Sequence, residues 1–356
     1  MDPASINAGN PALGIFIFML GGLAGAVFYL PLTKVKGWAW ESSWMIYAIS
    51  GLVLVPWILA FTTSPNVLSV IQAAPGNEVM YCFLCGAAWG FGGLTWGLMI
   101  RYLGFGLGLA MGAGLTSAAG TLIPPMLKGS GAVTAMFTTP GGIVSVVAAL
   151  VSVAGIVFVG MAGMSKESEL SEEEKKKAVA EFNFKKGIMV ALFSGLMSAA
   201  MSFGLQGGPE TQSLAMTTDP ATSITWAGMP VLVVVLLGGF AVNFTWCLFL
   251  NVKNKTGGDY VKKGSPIGSN LLFAGVAGAI WCSQFISFKT GEPKMGETSY
   301  IGWAVLMACT ILFSQLIGLV RGEYKGTSGK TVGRLAVGLV LLIVSAALAG
   351  YSGYVG

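Results

Sequence analysis

The chain has 356 residues, 54% of them hydrophobic and only 10% charged, with a mean hydropathy of +0.75. Soluble domains carry about 25% charged residues, so the composition excludes a soluble globule and places the chain in a membrane. The net charge of +5 comes from lysines and arginines in loops between apolar runs, which makes no nucleic-acid-binding patch, and the absence of histidine removes imidazole relays and the commonest metal ligand.

Met1 to Asn10 lacks the basic stretch of a signal peptide, so no cleavable leader is expected. A bilayer-spanning helix needs about 20 apolar residues. Residues 11–32 form the first such run, rich in small residues (Gly21, Gly22, Gly25) and ending at Tyr29 and Pro31. Lys34, Lys36, Trp38 and Trp40 then read as a headgroup-level belt. Residues 43–63 form a second span with Pro56 as a tolerated kink. Val79 to Pro125 holds 47 residues and a single charge, Arg101. That is too long for one span and suits two, 79–100 and 104–126, turned at Arg101–Gly104. Its glycines would weaken a soluble helix, but in lipid they let neighbouring backbones approach closely. A fifth span covers 141–164.

The hydrophilic stretch 165–186, with Glu172–Glu174 facing Lys175–Lys177, reads as a charged cytoplasmic linker. Five further runs follow at 187–206, 225–250, 267–288, 299–320 and 332–351. The expected fold is an all-α integral membrane protein of ten transmembrane helices. Gly86-Ala87-Ala88-Trp89 in the third run recurs as Gly278-Ala279-Ile280-Trp281 in the eighth. Gly22-Leu23-x-x-Ala26 in the first recurs as Gly195-Leu196-x-x-Ala199 in the sixth. Two related units of five spans must lie in opposite orientations, so the halves, 1–164 and 187–356, are expected to be inverted five-helix repeats with a site between them. Loops after the odd-numbered spans hold seventeen of the twenty lysines and arginines. The positive-inside rule puts those loops in the cytoplasm and both termini in the periplasm of an inner-membrane protein.

No expected span carries an ionisable residue near its middle, which argues against a midplane carboxylate relay and against an intramembrane hydrolase. An enzyme is not expected, and neither is a cofactor or metal. Cys82-x-x-Cys85 lies in a span and reads as two small buried hydrophobes. The polar groups of the spans are neutral. Trp89, Trp96, Trp281, Gln284, Asn243, Tyr29 and Gln206 are the candidate substrate-binding residues. Amides and hydroxyls supply both donors and acceptors for sugar hydroxyls, and indole faces stack on sugar C–H faces. The same residues can also bond their own helix backbone or pack on lipid. Glu41, at the mouth of the second span, is the candidate proton carrier, because desolvation there favours a protonated carboxyl. An interfacial ion pair with Lys34 or Lys36 is the competing reading.

These residues carry a family resemblance. The stretches FYLPLTKVKGWAWE (28–41), GAAWGFGGLTWGLMIRYLG (86–104), EFNFKKG (181–187), MSFGL (201–205) and WCSQF (281–285) are similar to those of the bacterial L-rhamnose–proton symporters, within the drug/metabolite transporter group. The resemblance implies a ten-span secondary transporter that imports L-rhamnose with a proton by alternating access. It places Glu41 in the family's acidic motif and Gln284 in its W-x-x-Q-F pattern. The pattern departs at Gly93, Thr95 and Trp96, where the family carries asparagines and a tyrosine, so the preferred sugar stays open. The expected partners are a small neutral sugar, a proton and the lipid bilayer, with no obligate protein partner. An exporter of small metabolites and a sodium-coupled sugar transporter are the alternatives.

Overall fold

The computed structural model describes residues 10–169, 184–320, 322 and 324–355. Every regular element among them is helical. α1 (Pro11–Val27) starts where Asn10 Oδ1 accepts from the Leu13 amide at 3.0 Å and Pro11 occupies a position whose N–H would be unused. A short α2 (Tyr29–Leu32) continues it. α3 (Trp40–Ala48) passes through a wider π-helical turn, Ile49–Leu54, into α4 (Val55–Thr63). Pro56 has no N–H for the helix ladder, and the widened turn immediately before it takes up the misfit.

After α5 (Val67–Ala73), helical backbone runs without a break from Gly76 to Leu127 as α6. In a straight helix residues 99 and 112 stand about 20 Å apart, at 1.5 Å per residue. Here a Cβ on Gly112 would lie 2.7 Å from Met99 Cε and 3.1 Å from Trp96 Cη2. The chain therefore doubles back, and α6 consists of two antiparallel arms. The Arg101 side chain, at the bend, lies outside the described residues.

The chain continues as α7 (Ser130–Thr138), α8 (Pro140–Ser168), α9 (Phe184–Gln206), α10 (Pro209–Thr217), α11 (Met229–Lys253), α12 (Ile267–Gly291), α13 (Gly302–Val320) and α14 (Gly329–Val355). Nine helical stretches among the described residues are long and apolar enough to cross a membrane, the first arm of α6 among them. Most of the charged linker, residues 170–183, lies outside the described set.

Glycine contacts arrange these helices in matched pairs. α9 wedges between the two arms of α6: Ser194 Oγ donates to Gly92 O, and Ser202 Oγ to Gly120 O. α1 wedges between α12 and α13 in the same manner, with Gly21 against Ser287 and Gly22 against Cys309. A Cβ on Gly22 would meet Cys309 Cβ at 2.4 Å, and one on its sequence counterpart Gly195 would meet Leu115 Cβ at 3.0 Å. Likewise Gly86 packs on the α11 backbone, where a Cβ would stand 1.8 Å from Val235 O, and Gly278 on α3, 2.4 Å from Tyr47 O. All four of these glycines make close approaches to a neighbouring helix. Without a hydrophobic force between helices in lipid, such contacts carry the association. Around them lies a continuous core that includes Leu52, Met201, Leu205, Leu232 and Trp303.

Candidate transport site and gates

The centre of the bundle is aromatic. The rings of Trp89 and Trp281 lie 5.0 Å apart, joining the first arm of α6 to α12. Tyr47 meets Trp281 at 5.9 Å, Trp44 meets Tyr47 at 4.5 Å, and Phe285 meets Trp281 at 4.5 Å. Asn243 joins this group: its Oδ1 accepts from Trp44 Nε1 at 3.0 Å, and its Nδ2 donates to Gly239 O at 2.9 Å. Three of the sequence candidates, Trp89, Trp281 and Asn243, are therefore brought together.

Gln284, one helical turn from Trp281, donates to Thr310 Oγ1 at 3.1 Å. Its amide rests on Gly25, where a Cβ would come within 2.7 Å of both amide atoms. Thr310 also lines a cavity of about 190 Å³ with Trp96, Thr116, Ser314 and Gln315. Trp96 and Gln284 thus meet through a shared threonine. Ligand sites usually measure about 300–1,000 Å³, so this cavity must widen to take a sugar.

A larger opening lies beyond Trp303, whose Nε1 donates to Thr116 O at 3.2 Å. Two adjoining depressions of about 650 and 270 Å³ share Gln206, Lys128 and Pro209 in their walls. Together they form a vestibule of solute size. Gln206 Nε2 donates to Ser202 Oγ at 2.7 Å, while its Oε1 is buried without a partner. An unmet buried acceptor costs about 1–3 kcal/mol. Tyr29 stands apart, half-exposed and edge-on to Phe28.

Lys289 directly follows the eighth apolar run of the sequence, 267–288, but α12 runs past it and buries it to 2% exposure. Its ammonium donates to Leu205 O (2.9 Å), Gln212 Oε1 (3.2 Å) and Glu292 Oε2 (2.5 Å). The pair lines the vestibule. The signal in the sequence was that only three cations occur on the cation-poor side, and Lys289 directly follows an apolar run.

The opposite end of α12 is sealed. Asn270 and Lys289 are separated by about 28 Å of helix, close to a bilayer's hydrocarbon thickness. Asn270 exchanges two hydrogen bonds with the Lys36 backbone, at 3.0 and 2.8 Å. Glu41 Oε1 accepts from Asn254 Nδ2 at 2.9 Å and Thr256 Oγ1 at 2.8 Å, so neither Lys34 nor Lys36 is its partner. Asp259 Oδ2 accepts from the Ala39 amide at 2.7 Å and Ser42 Oγ at 2.9 Å. One end of the bundle is open to a solute and the other is tied shut.

The L-rhamnose-proton symport protein family profile matches residues 7–354. An L-rhamnose-proton symporter of Klebsiella pneumoniae is 32% identical over 344 residues, covering 95% of this chain and 97% of that protein. The same symporter from an Escherichia coli strain is 31% identical with the same coverage. The chain belongs to the L-rhamnose-proton symport protein family. A solved structure, titled only as the crystal structure of a protein, superposes with a TM-score of 0.52 at 14% identity, covering 95% of this chain and 97% of that one. That likeness concerns the fold.

Members of this family are transporters, not enzymes. Gly93, Thr95 and Trp96, where departures from the family pattern are expected, have unlike surroundings in this structure. Thr95 Oγ1 bonds its own helix at Phe91 O and Gly92 O, both at 3.0 Å, and lines an apolar groove with Phe91, Leu98 and Trp246. Gly93 stands 3.9 Å from Trp89 as a Cβ would be built. Of the three, Trp96 lines the small cavity beside Thr310.

Proposed function

We propose that this protein imports a neutral monosaccharide, L-rhamnose first among candidates, together with a proton by alternating access. The observation that carries the reading is the match of a symporter family over residues 7–354. The geometry supports it through a vestibule with an unpartnered amide acceptor at one end and a sealed polar cluster at the other. Sugar enters at Gln206, and passage toward Trp96 and Gln284 requires Trp303 to release Thr116 and the smaller cavity to widen. The aromatic centre of Trp89, Trp281 and Asn243 forms the pivot wall, and Tyr29 lies at the periphery of the path. Glu41 takes the coupled proton.

The proposed frame is ten transmembrane helices in two inverted repeats, divided by the charged linker. The paired glycine contacts of α1 with α9, and of Gly86 with Gly278, support it. The excess of lysine and arginine in the loops after odd-numbered spans supports an inner-membrane orientation with periplasmic termini and an outward-facing vestibule.

Uptake of labelled L-rhamnose into proteoliposomes under an inward pH gradient tests the function. Accumulation above the external concentration, abolished by collapsing the gradient and competed by close stereochemical relatives, is expected. Equal uptake with and without the gradient would refute proton coupling, and no uptake of any neutral sugar would refute the substrate class.

A further inference from the structure

The first arm of α6 and α11 run side by side from the vestibule toward the sealed end. Glu78 and Tyr81, early in the arm, line the vestibule, and Asn254, just after α11, bonds Glu41 in the seal. Glycines hold the two helices together over the first part of that course. Gly86 packs on Val235 and Gly90 on Val242, where a Cβ would stand 2.8 Å from Val242 Cβ. The next glycine of the arm, Gly92, packs on Ser198 of α9 instead. From Phe91 onward a groove of about 640 Å³ lies between the arm and α11. Phe91, Leu98, Trp246 and Phe249 line it, and all four are exposed large apolar side chains in helices that cross the membrane. Residues 241–249 of α11 give the groove a length of about 12 Å.

Two hydroxyls line the groove, and both are turned onto their own helices. Thr95 donates to Phe91 O and Gly92 O, and Thr245 donates to Ala241 O at 2.7 Å. The rest of the wall is hydrocarbon and aromatic ring. Toward the sealed end the character changes. The Lys253 ammonium lies 5.7 Å from the ring centroid of Phe249, a wall residue, so a cation stands at the rim. The connection that follows α11 carries Lys255, Lys262 and Lys263, all exposed, and Lys34 and Lys36 are exposed at the same end. The acids of these two segments, Glu41 and Asp259, are buried and bonded inside the seal. An apolar groove thus ends at a cationic surface.

We infer that this groove binds one phospholipid with an anionic headgroup, its acyl chain laid between the first arm of α6 and α11 and its phosphate at Lys253. Lipid tails are as apolar as the side chains they touch, so no hydrophobic gain drives such binding. A concave surface left unfilled forfeits dispersion contacts on its walls, and a flexible chain restores them. The ammonium at the rim then selects the headgroup: one lysine favours a net negative lipid about fivefold over a zwitterionic one. A second copy of the chain is the poorer occupant. A two-fold axis along the membrane normal would bring both cationic rims to the same depth, where like charges repel. The same two helices carry Trp89 and Asn243, so the bound lipid braces the aromatic centre from outside. The inference holds whichever solute is carried.

The test is native mass spectrometry of the full-length protein in detergent, titrated separately with dioleoylphosphatidylglycerol and dioleoylphosphatidylcholine. Wild type is expected to retain one lipid more tightly than the rest, with phosphatidylglycerol about fivefold ahead in affinity. Thr245 is exposed in the groove, and Thr245→Trp fills it with an indole. That variant is expected to lose the tight lipid while melting like wild type in lipid-free detergent. Lys253→Gln is expected to keep a lipid but to hold the two headgroups equally. Tight phosphatidylglycerol retention by Thr245→Trp equal to wild type overturns the inference. Should that variant fail to fold, Lys253→Gln decides, and an undiminished preference for phosphatidylglycerol overturns it. Equal affinity of wild type for the two lipids also overturns it, as does a wild-type dimer that Thr245→Trp dissolves.

Discussion

Gln206 concentrates the transport argument at the scale of one residue. Its amide nitrogen is satisfied inside the bundle, its oxygen is buried without a partner, and the residue lines the vestibule. A sugar hydroxyl that donates to Oε1 contributes about 0.5–1.5 kcal/mol, so Gln206→Leu is predicted to raise the KM for sugar about three- to tenfold. Steady-state uptake by variant and wild type at matched protein density checks this, and an unchanged KM places the sugar elsewhere. Glu41 and Gln206 were both legible as candidates, because a lone acid at a span mouth and an amide at a span end are local features. Their partners were not. Asn254 and Thr256 lie more than two hundred positions from Glu41 along the chain, and single-chain composition holds no trace of such a pairing. Lys289 escaped for a different reason: where a helix extends past its apolar run, the sequence shows only the end of hydrophobicity.

At the scale of elements, glycine positions decide which helices touch. Gly86 brings the first arm of α6 against the α11 backbone so closely that a methyl group would stand 1.8 Å from Val235 O. Backbone cannot give way as a flexible side chain can, so Gly86→Ala is predicted to destabilise the protein by at least the 1–3 kcal/mol typical of overpacking, taken as a rough scale. Gly131→Ala, in α7 with open space around it, is the matched substitution and is predicted to melt close to wild type. Detergent melting curves of both variants make the comparison, and an unperturbed Gly86→Ala would remove the close-packing account. The doubling back of α6 was readable from length alone, since an apolar run of that size exceeds one bilayer thickness. The exact partners of each arm were not, because helix rotation is set by packing and not by hydropathy. The short sequence echoes at Gly22 and Gly195, and at Gly86 and Gly278, fall on glycines that each make a close helix approach.

At the scale of the whole molecule, one end of the bundle is a vestibule and the other a hydrogen-bonded seal. Transport by alternating access requires the two to exchange. The equilibrium moves only as far as the sugar and proton bind the inward-open form better than the outward-open one. Cys247 reports that exchange. It is fully buried on α11 directly beneath the seal, and its carbonyl accepts from Asn251 Nδ2 at 2.9 Å. The decisive measurement is the alkylation rate of Cys247 by a membrane-impermeant thiol reagent added from the sealed side, in protein with Cys82, Cys85, Cys282 and Cys309 replaced by alanine. Slow labelling without sugar, and faster labelling when L-rhamnose is added at acidic pH, is the result predicted. A rate indifferent to L-rhamnose, in a protein shown to transport it, would contradict the account.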